Sequence, residues 1–384
     1  MTIERSVPSV YARLGVRPVI HASGTTTRYG GSRMRPETIE AMREAAQALV
    51  NIDELNEAAG AAIARMLGAE AALVTAGSAA GLVLQAAACI AGDDPARIAR
   101  LPDVTGMRHE FVIQRAHRFS YDQSFRVPGG ELVEIGLGRR TMPYELENAI
   151  GPRTAGVVYL VSPFTSPPGI LSFNEVCRIA HARGVPVIVD VASMVPPREN
   201  LFRYLRDGAD LVVVSGGKGI RGPQSTGILA GRRDLIRAAT LNASPNQAIG
   251  RAAKTSKEEI VGLVTALELF LGEDEKAEME RYREVCARIA AELGEVAGIR
   301  AVVEQDPVNR VLPHAVLYFE PSWTGPSGRA VQLALAAGDP HIYVQQGPHQ
   351  GGYFDEIAID PINLEPGDEA IIVRRLLEEL TQGS

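Results

Sequence analysis

Long apolar runs are absent from this chain of 384 residues. None approaches the roughly 20 consecutive apolar residues that a membrane-spanning helix needs, and residues 1–10 carry no apolar core of a secretory signal. A cytoplasmic protein with no membrane partner is therefore expected. Cysteine is scarce: Cys89, Cys177 and Cys286 are the only three, far apart and each set in a helical pattern. They make neither a disulfide framework nor a Cys-x-x-Cys metal site, so they read as small core residues and no metal is expected. Net positive charge is lacking too. Lysine and arginine number 39 against 46 acidic residues, a formal balance of −7, which argues against a general nucleic-acid binder. Internal repeats and low-complexity tracts do not occur. What remains, 46% hydrophobic and 22% charged residues, is an ordinary globular composition, and the length allows two or three domains.

The stretch over residues 208–231, GADLVVVSGGKGIRGPQSTGILAG, organises what is there. An apolar strand (210–214) runs into a turn of Ser215, Gly216 and Gly217, then Lys218, a second glycine-rich turn, and a second strand ending near Gly231. With so little side-chain bulk around Lys218, the backbone is free to approach a ligand closely. Apolar surroundings would lower the pKa of its amine and make it a Schiff-base nucleophile. A solvated turn lysine is the bland alternative. Two decoys fall away. Gly217, Gly219 and Gly222 spell G-x-G-x-x-G, but Pro223 and an apolar run follow where a dinucleotide fingerprint needs a helix. A P-loop needs Ser or Thr after its lysine, and Gly219 stands there.

Ahead of this stretch the pattern alternates between strand and helix. After an arm over residues 1–34 with a short strand at 18–22, Pro36 opens a helix whose apolar positions are Ile39, Met42 and Leu49. A helix over 55–67 is closed by Gly68, and a strand over 71–75 leads through Ala76, Gly77, Ser78 and Ala79 into a small-residue helix over 80–91. Strand, glycine-serine turn and helix N-terminus present free N–H groups to a phosphate, although Ser78 reads equally well as an N-cap. Strands over 110–114, 132–135, 156–161 and 185–190 follow, with a capping box at Ser172 and Glu175. Near-continuous apolar strands joined by helices predict an α/β domain with a parallel sheet. Ligands of such sheets gather beyond the C-terminal strand ends. There the sequence places Ser78, His117, Ser162, Asp190, Ser215 and Lys218. They supply a phosphate cradle, a flat ring, a carboxylate and an amine, the set that pyridoxal 5′-phosphate (PLP) requires. From residue 243 the pattern changes to helices and short strands (300–304, 315–319, 342–345), so the domains read as an arm (1–34) packing on a small α+β domain (243–384), and a large domain (35–242).

This order of pieces resembles a fold-type-I PLP enzyme. RPVIHASGT at 17–25, Glu54-Leu55, Gly68-Ala69-Glu70, Thr75-Ala76-Gly77-Ser78, and above all SGGK followed by GPQSTG at 215–227 resemble the selenocysteine-synthase-like family, that of L-seryl-tRNA(Sec) selenium transferase. The resemblance spans nearly the whole chain. It implies that Lys218 carries PLP as a Schiff base, that Asp190 pairs with the pyridinium nitrogen, and that Ala192 lies under the ring with His117 stacked above. Gly77, Ser78, Ala79, Ser162 and Ser215 would hold the remainder of the cofactor. The chain starts almost at the catalytic motif, so the family's N-terminal tRNA-recognition domain is expected to be absent. With a net acidic chain this points to the family's shorter branch of small-molecule lyases, typified by D-glucosaminate-6-phosphate ammonia-lyase. The reaction implied is α,β-elimination of ammonia from a small hydroxylated or β-substituted amino acid, with the substrate's acid group held by Arg28, Arg115, Arg221, Arg251 or Arg310. Racemisation, a selenium-transferase-like reaction and a non-catalytic scaffold are the alternatives; desulfuration would need a nucleophilic cysteine on a mobile loop. Fold-type-I sites are completed by a neighbouring subunit, so at least a homodimer is expected, the loop from Arg251 to Lys257 reaching toward the partner.

Overall fold

The computed structural model describes residues 9–162, 167–305, 312–347 and 355–381. The chain divides into two compact units, residues 33–273 and residues 1–32 with 274–384. In chain order the strands are Val19–Ala22 (β1), Ala71–Thr75 (β2), Glu110–Gln114 (β3), Glu131–Ile135 (β4), Thr154–Leu160 (β5) and Val187–Asp190 (β6). They continue with Leu211–Ser215 (β7), Gly227–Gly231 (β8), Ile299–Glu304 (β9), His314–Phe319 (β10), His341–Gln346 (β11) and Glu356–Ile359 (β12).

The larger unit is built on a sheet of order β2-β8-β7-β6-β5-β3-β4. Its β3, β4, β5, β6 and β7 pair in parallel, whereas β8 runs against both of its neighbours. Strands β3, β5, β6, β7 and β8 are buried along their whole length, which is why they read as unbroken apolar runs rather than alternating ones. One face is covered by the helix Gly77–Ala91, whose alanine-rich side packs with Val158, Ile188, Leu211 and Val213. The other is covered by the helices Phe173–Ala182 and Lys257–Gly272 among others. The expected capping box holds: Ser172 accepts from the N–H of Glu175, and the Glu175 carboxylate accepts from the N–H of Ser172.

Three readings of the sequence are corrected. Residues 243–273, expected in the small domain, belong to the larger unit, because Ile260, Leu263, Ala266, Leu267 and Phe270 enter the same apolar cluster as Val214, Ile220 and Ile228. The helix Pro36–Ala46 ends before Leu49, which is 95% exposed, and Ile39 is 52% exposed; Thr38 is the residue this helix buries. Of the three apolar positions, Met42 alone is half-buried, close against Gly262 of the helix Lys257–Gly272. Finally, β12 was not legible as a strand, yet it is buried at the centre of the second sheet.

That second sheet, in the smaller unit, has the order β1-β11-β12-β10-β9. The N-terminal arm contributes β1, paired in parallel with β11, while the other pairings are antiparallel. Asn363 fastens the glycine-rich end of the arm, its Nδ2 donating to the carbonyls of Gly24 (2.7 Å) and Gly31 (2.9 Å). Among the described residues no helix is long and apolar enough to cross a membrane.

Candidate active site

Register brings the strand ends of the larger unit to one edge. Asp190 of β6 pairs with Leu160 of β5 and Val213 of β7, while Ser215 of β7 and Thr75 of β2 both pair with Gly227 of β8. The segments that leave this edge carry Ser78, Ser162, Ala192 and Lys218, and β3 delivers His117 to the same end of the sheet. No group of His, Cys, Asp and Glu suited to a metal occurs among the described residues.

Lys218 lies in the loop of the β7–β8 hairpin and is half-buried. The loop folds back on itself: the N–H of Gly216 donates to the Thr226 carbonyl (2.8 Å), that of Arg221 to Lys218 (2.9 Å) and that of Gly222 to Gly216 (2.9 Å). Here the glycines have a different cause from the one the sequence suggested. A Cβ on Gly217 would stand 2.3 Å from Cα of Gln224, and one on Gly219 would stand 1.9 Å from the Val195 carbonyl oxygen. Close packing within the protein, rather than access for a ligand, requires them. Gly219→Ala is therefore expected to cost about 2–3 kcal/mol in urea unfolding of the cofactor-free chain, and wild-type stability would contradict this packing. No helix follows Gly222, so the dinucleotide fingerprint is excluded.

Asp190 is 5% exposed, and its Oδ1 accepts the N–H of Ala192 at 2.8 Å. Burial pushes the carboxyl above its ordinary range, while the Ala192 N–H and the charge of Lys218 pull the other way. The charge of Lys218, in the loop after β7, thus acts on the carboxylate at the end of the adjacent strand β6.

The helix expected over 80–91 begins at Gly77, and its N-cap is Ala76, with no side-chain cap among the described residues. Ser78 therefore sits in the first turn and does not cap it. First-turn N–H groups and the positive end of the helix dipole are left for an anion. Gly77 takes φ +72°, and a Cβ on Gly227 would stand 2.6 Å from the carbonyl carbon of Gly77, so this turn lies directly against the base of the Lys218 hairpin. Ala79 is exposed, Ser162 half-buried and Ser215 buried.

Other sequence candidates are placed differently. His117 is 0% exposed; its Nδ1 accepts the Leu160 N–H at 3.4 Å and its ring meets Tyr159 edge-on at 4.5 Å. Its imidazole is therefore buried, held at Nδ1 and along one edge. Arg115 is answered by Glu134 at 3.8 Å. Arg221, on the Lys218 hairpin, donates through Nε to the Arg33 carbonyl at 3.0 Å. Arg28 belongs to the smaller unit, in the short 3-10 helix Thr27–Tyr29; Arg251 and Lys254 are exposed, and Arg310 lies outside the described residues. Burial pushes the thiols of Cys89, Cys177 and Cys286 up to about 12, so none is a thiolate near neutrality. Sequence reasoning missed Gln85, fully buried on the helix Gly77–Ala91, with Nε2 donating to the carbonyl of Val189 (3.4 Å) one residue before Asp190. A lone amide in an otherwise apolar helix was its signal.

A family model described as SelA, L-seryl-tRNA selenium transferase, matches residues 19–297. The chain is 34% identical to a D-glucosaminate-6-phosphate ammonia lyase of Salmonella typhimurium, across 97% of this chain and 98% of that protein. It is also 34% identical to a 5′-C-glycyluridine monooxygenase-decarboxylase of a Streptomyces species, across 96% and 92%. A solved structure of D-glucosaminate-6-phosphate ammonia-lyase superposes with a TM-score of 0.84 at 32% identity, covering 98% of this chain and all (100%) of the other. The fold is the fold-type-I architecture of the PLP enzymes, as the resemblance implied. On the family model and the full-length relatives together, the chain belongs to the L-seryl-tRNA selenium transferase family.

Proposed function

We propose that this chain is a PLP-dependent lyase that releases ammonia by α,β-elimination from a small amino acid with a hydroxyl or other leaving group at Cβ, phosphorylated or free. The observation that carries the reading is the buried Asp190 carboxylate at the end of β6, with the charge of Lys218, in the loop after the neighbouring strand β7, acting on it. Two features support the cofactor's fit. A carboxylate that burial drives toward neutrality is stabilised by a cationic N–H of its own, and an uncapped helix N-terminus suits a phosphate. The ammonia-lyase relative, named for a phosphorylated amino-sugar acid, supports the reaction class.

When bound, PLP supplies the electron sink that makes the Cα–H of an amino acid acidic. The residues divide the remaining work. Asp190 would keep a proton on the ring nitrogen through its own negative charge. The N–H groups of Gly77, Ser78 and Ala79, with Ser215, would hold the phosphate. Ala192, with its small side chain, would leave room for the ring. Lys218 Nζ would take the Cα proton and return it to the Cβ hydroxyl, which would leave as water; hydrolysis of the released enamine would then give a 2-oxo acid and ammonia. Desulfuration by a cysteine nucleophile is disfavoured by thiols held at about 12.

A cytoplasmic homodimer that binds no nucleic acid completes the reading. Light scattering is expected to give a dimer or larger; a monomer at micromolar concentration contradicts it. The reaction is tested by incubating the PLP-loaded protein with D- and L-hydroxyamino acids, free and phosphorylated. Equal amounts of ammonia and 2-oxo acid without oxygen uptake are expected. Racemisation without ammonia, or oxygen uptake with release of carbon dioxide, would overturn elimination.

A further inference from the structure

We propose that Arg35 is a positioning residue for Lys218: its buried guanidinium fastens the lysine hairpin to the two points where the chain enters and leaves the larger unit. The inference rests on Lys218 being the group that acts on the substrate. Arg35 is 7% exposed and makes three hydrogen bonds, one from each nitrogen of its planar guanidinium. Nε and Nη2 donate to Oε1 and Oε2 of Glu273 at 2.6 and 2.7 Å, and Nη1 donates to the carbonyl of Ile220 at 2.8 Å. The larger unit begins at Arg33 and ends at Glu273, so the pair joins its two ends. The third acceptor, Ile220, lies two residues beyond Lys218.

A second strut runs the same way. Arg221 Nε donates to the carbonyl of Arg33, and the Arg221 backbone sits at φ 62°, a left-handed conformation that a non-glycine residue adopts only when held. Its N–H in turn donates to the Lys218 carbonyl. The segment after Asp190 is tied to the same place: Arg198 Nη1 donates to the Leu271 carbonyl at 3.2 Å, in the last turn of the helix Lys257–Gly272. An apolar pair would fill the space occupied by Arg35 and Glu273 at no loss of stability. Only a planar, three-way donor, however, also fixes the carbonyl of Ile220.

The test compares wild type with Arg35→Met, Arg35→Lys and Glu273→Gln. In the cofactor-free chain, amide exchange over residues 216–222 is expected to quicken about tenfold in Arg35→Met, and less in the other two. In the PLP-loaded protein the pH midpoint of the visible absorbance is expected to move, and kcat to fall with KM little changed. A folded Arg35→Met protein with wild-type exchange in the hairpin and a wild-type absorbance midpoint would overturn the inference. Should Arg35→Met not fold, Glu273→Gln decides on the same two readouts. Wild-type protein that takes up no PLP would sink the functional reading instead, and the exchange comparison would still stand.

Discussion

Lys218→Ala is expected to lower ammonia release by at least about 10³-fold, because one amine is asked both to hold the cofactor and to move the Cα proton. The chain should still fold. Lys218 is half-buried in a hairpin loop, and the loop's own hydrogen bonds run through backbone groups that alanine keeps. Phosphate binding at the helix Gly77–Ala91 should also survive, so the variant is expected to take up PLP non-covalently. Methylamine added to it should restore part of the activity by serving as a diffusible base. Activity within tenfold of wild type in a folded variant would remove Lys218 from the reaction.

Asp190→Asn is expected to have opposite effects on activity and on the stability of the cofactor-free chain. Activity should fall by about 10³-fold, since a neutral amide cannot keep a proton on the ring nitrogen. The stability change follows from linkage. Burial raises the Asp190 carboxyl above its ordinary value of 3.8. Between 3.8 and that raised value the folded chain holds a proton that the unfolded chain has lost. Stability therefore falls as pH rises through this window, and the loss persists above it. Asparagine has no such proton and still offers an oxygen to the Ala192 N–H. The variant's Tm, measured without PLP, should match wild type at the acidic end, exceed it increasingly as pH rises through that window, and keep the excess above it. A Tm below wild type at pH 8 would show that the buried charge is already compensated without the cofactor.

The sheet and its functional edge were largely legible because their signals are local. Strands such as 154–160 and 211–215 bury both faces, so each reads as a near-continuous apolar run, and 211–215 ends on the polar Ser215. Glycine and proline at 217, 219, 222 and 223 ruled out a helix after Lys218 for reasons of backbone chemistry alone, and β8 follows there. Illegible features depended on distance along the chain. Arg35 and Glu273 are 238 residues apart, and nothing near either one announces the other. Strand β12 is four residues long and opens on a buried glutamate, so its composition did not mark it. Leu49 failed for the reverse reason, since helical spacing of apolar residues looks the same whether or not anything covers them. The sequence places His117 after a strand, but its hydrogen bond from the Leu160 N–H and its edge contact with Tyr159 come from β5, which no local signal announces.

Borohydride reduction of the PLP-loaded protein, followed by peptide mapping, tests the central claim most directly. The chain has four lysines, Lys218, Lys254, Lys257 and Lys276, so the attachment site is assigned from a small set. A pyridoxyl group is expected on the peptide containing Lys218, in one copy per chain, and absent when Asp190→Asn and Lys218→Ala are combined. Labelling of Lys254, Lys257 or Lys276 instead, or no labelling at all, would contradict the assignment of Lys218 as the reactive amine.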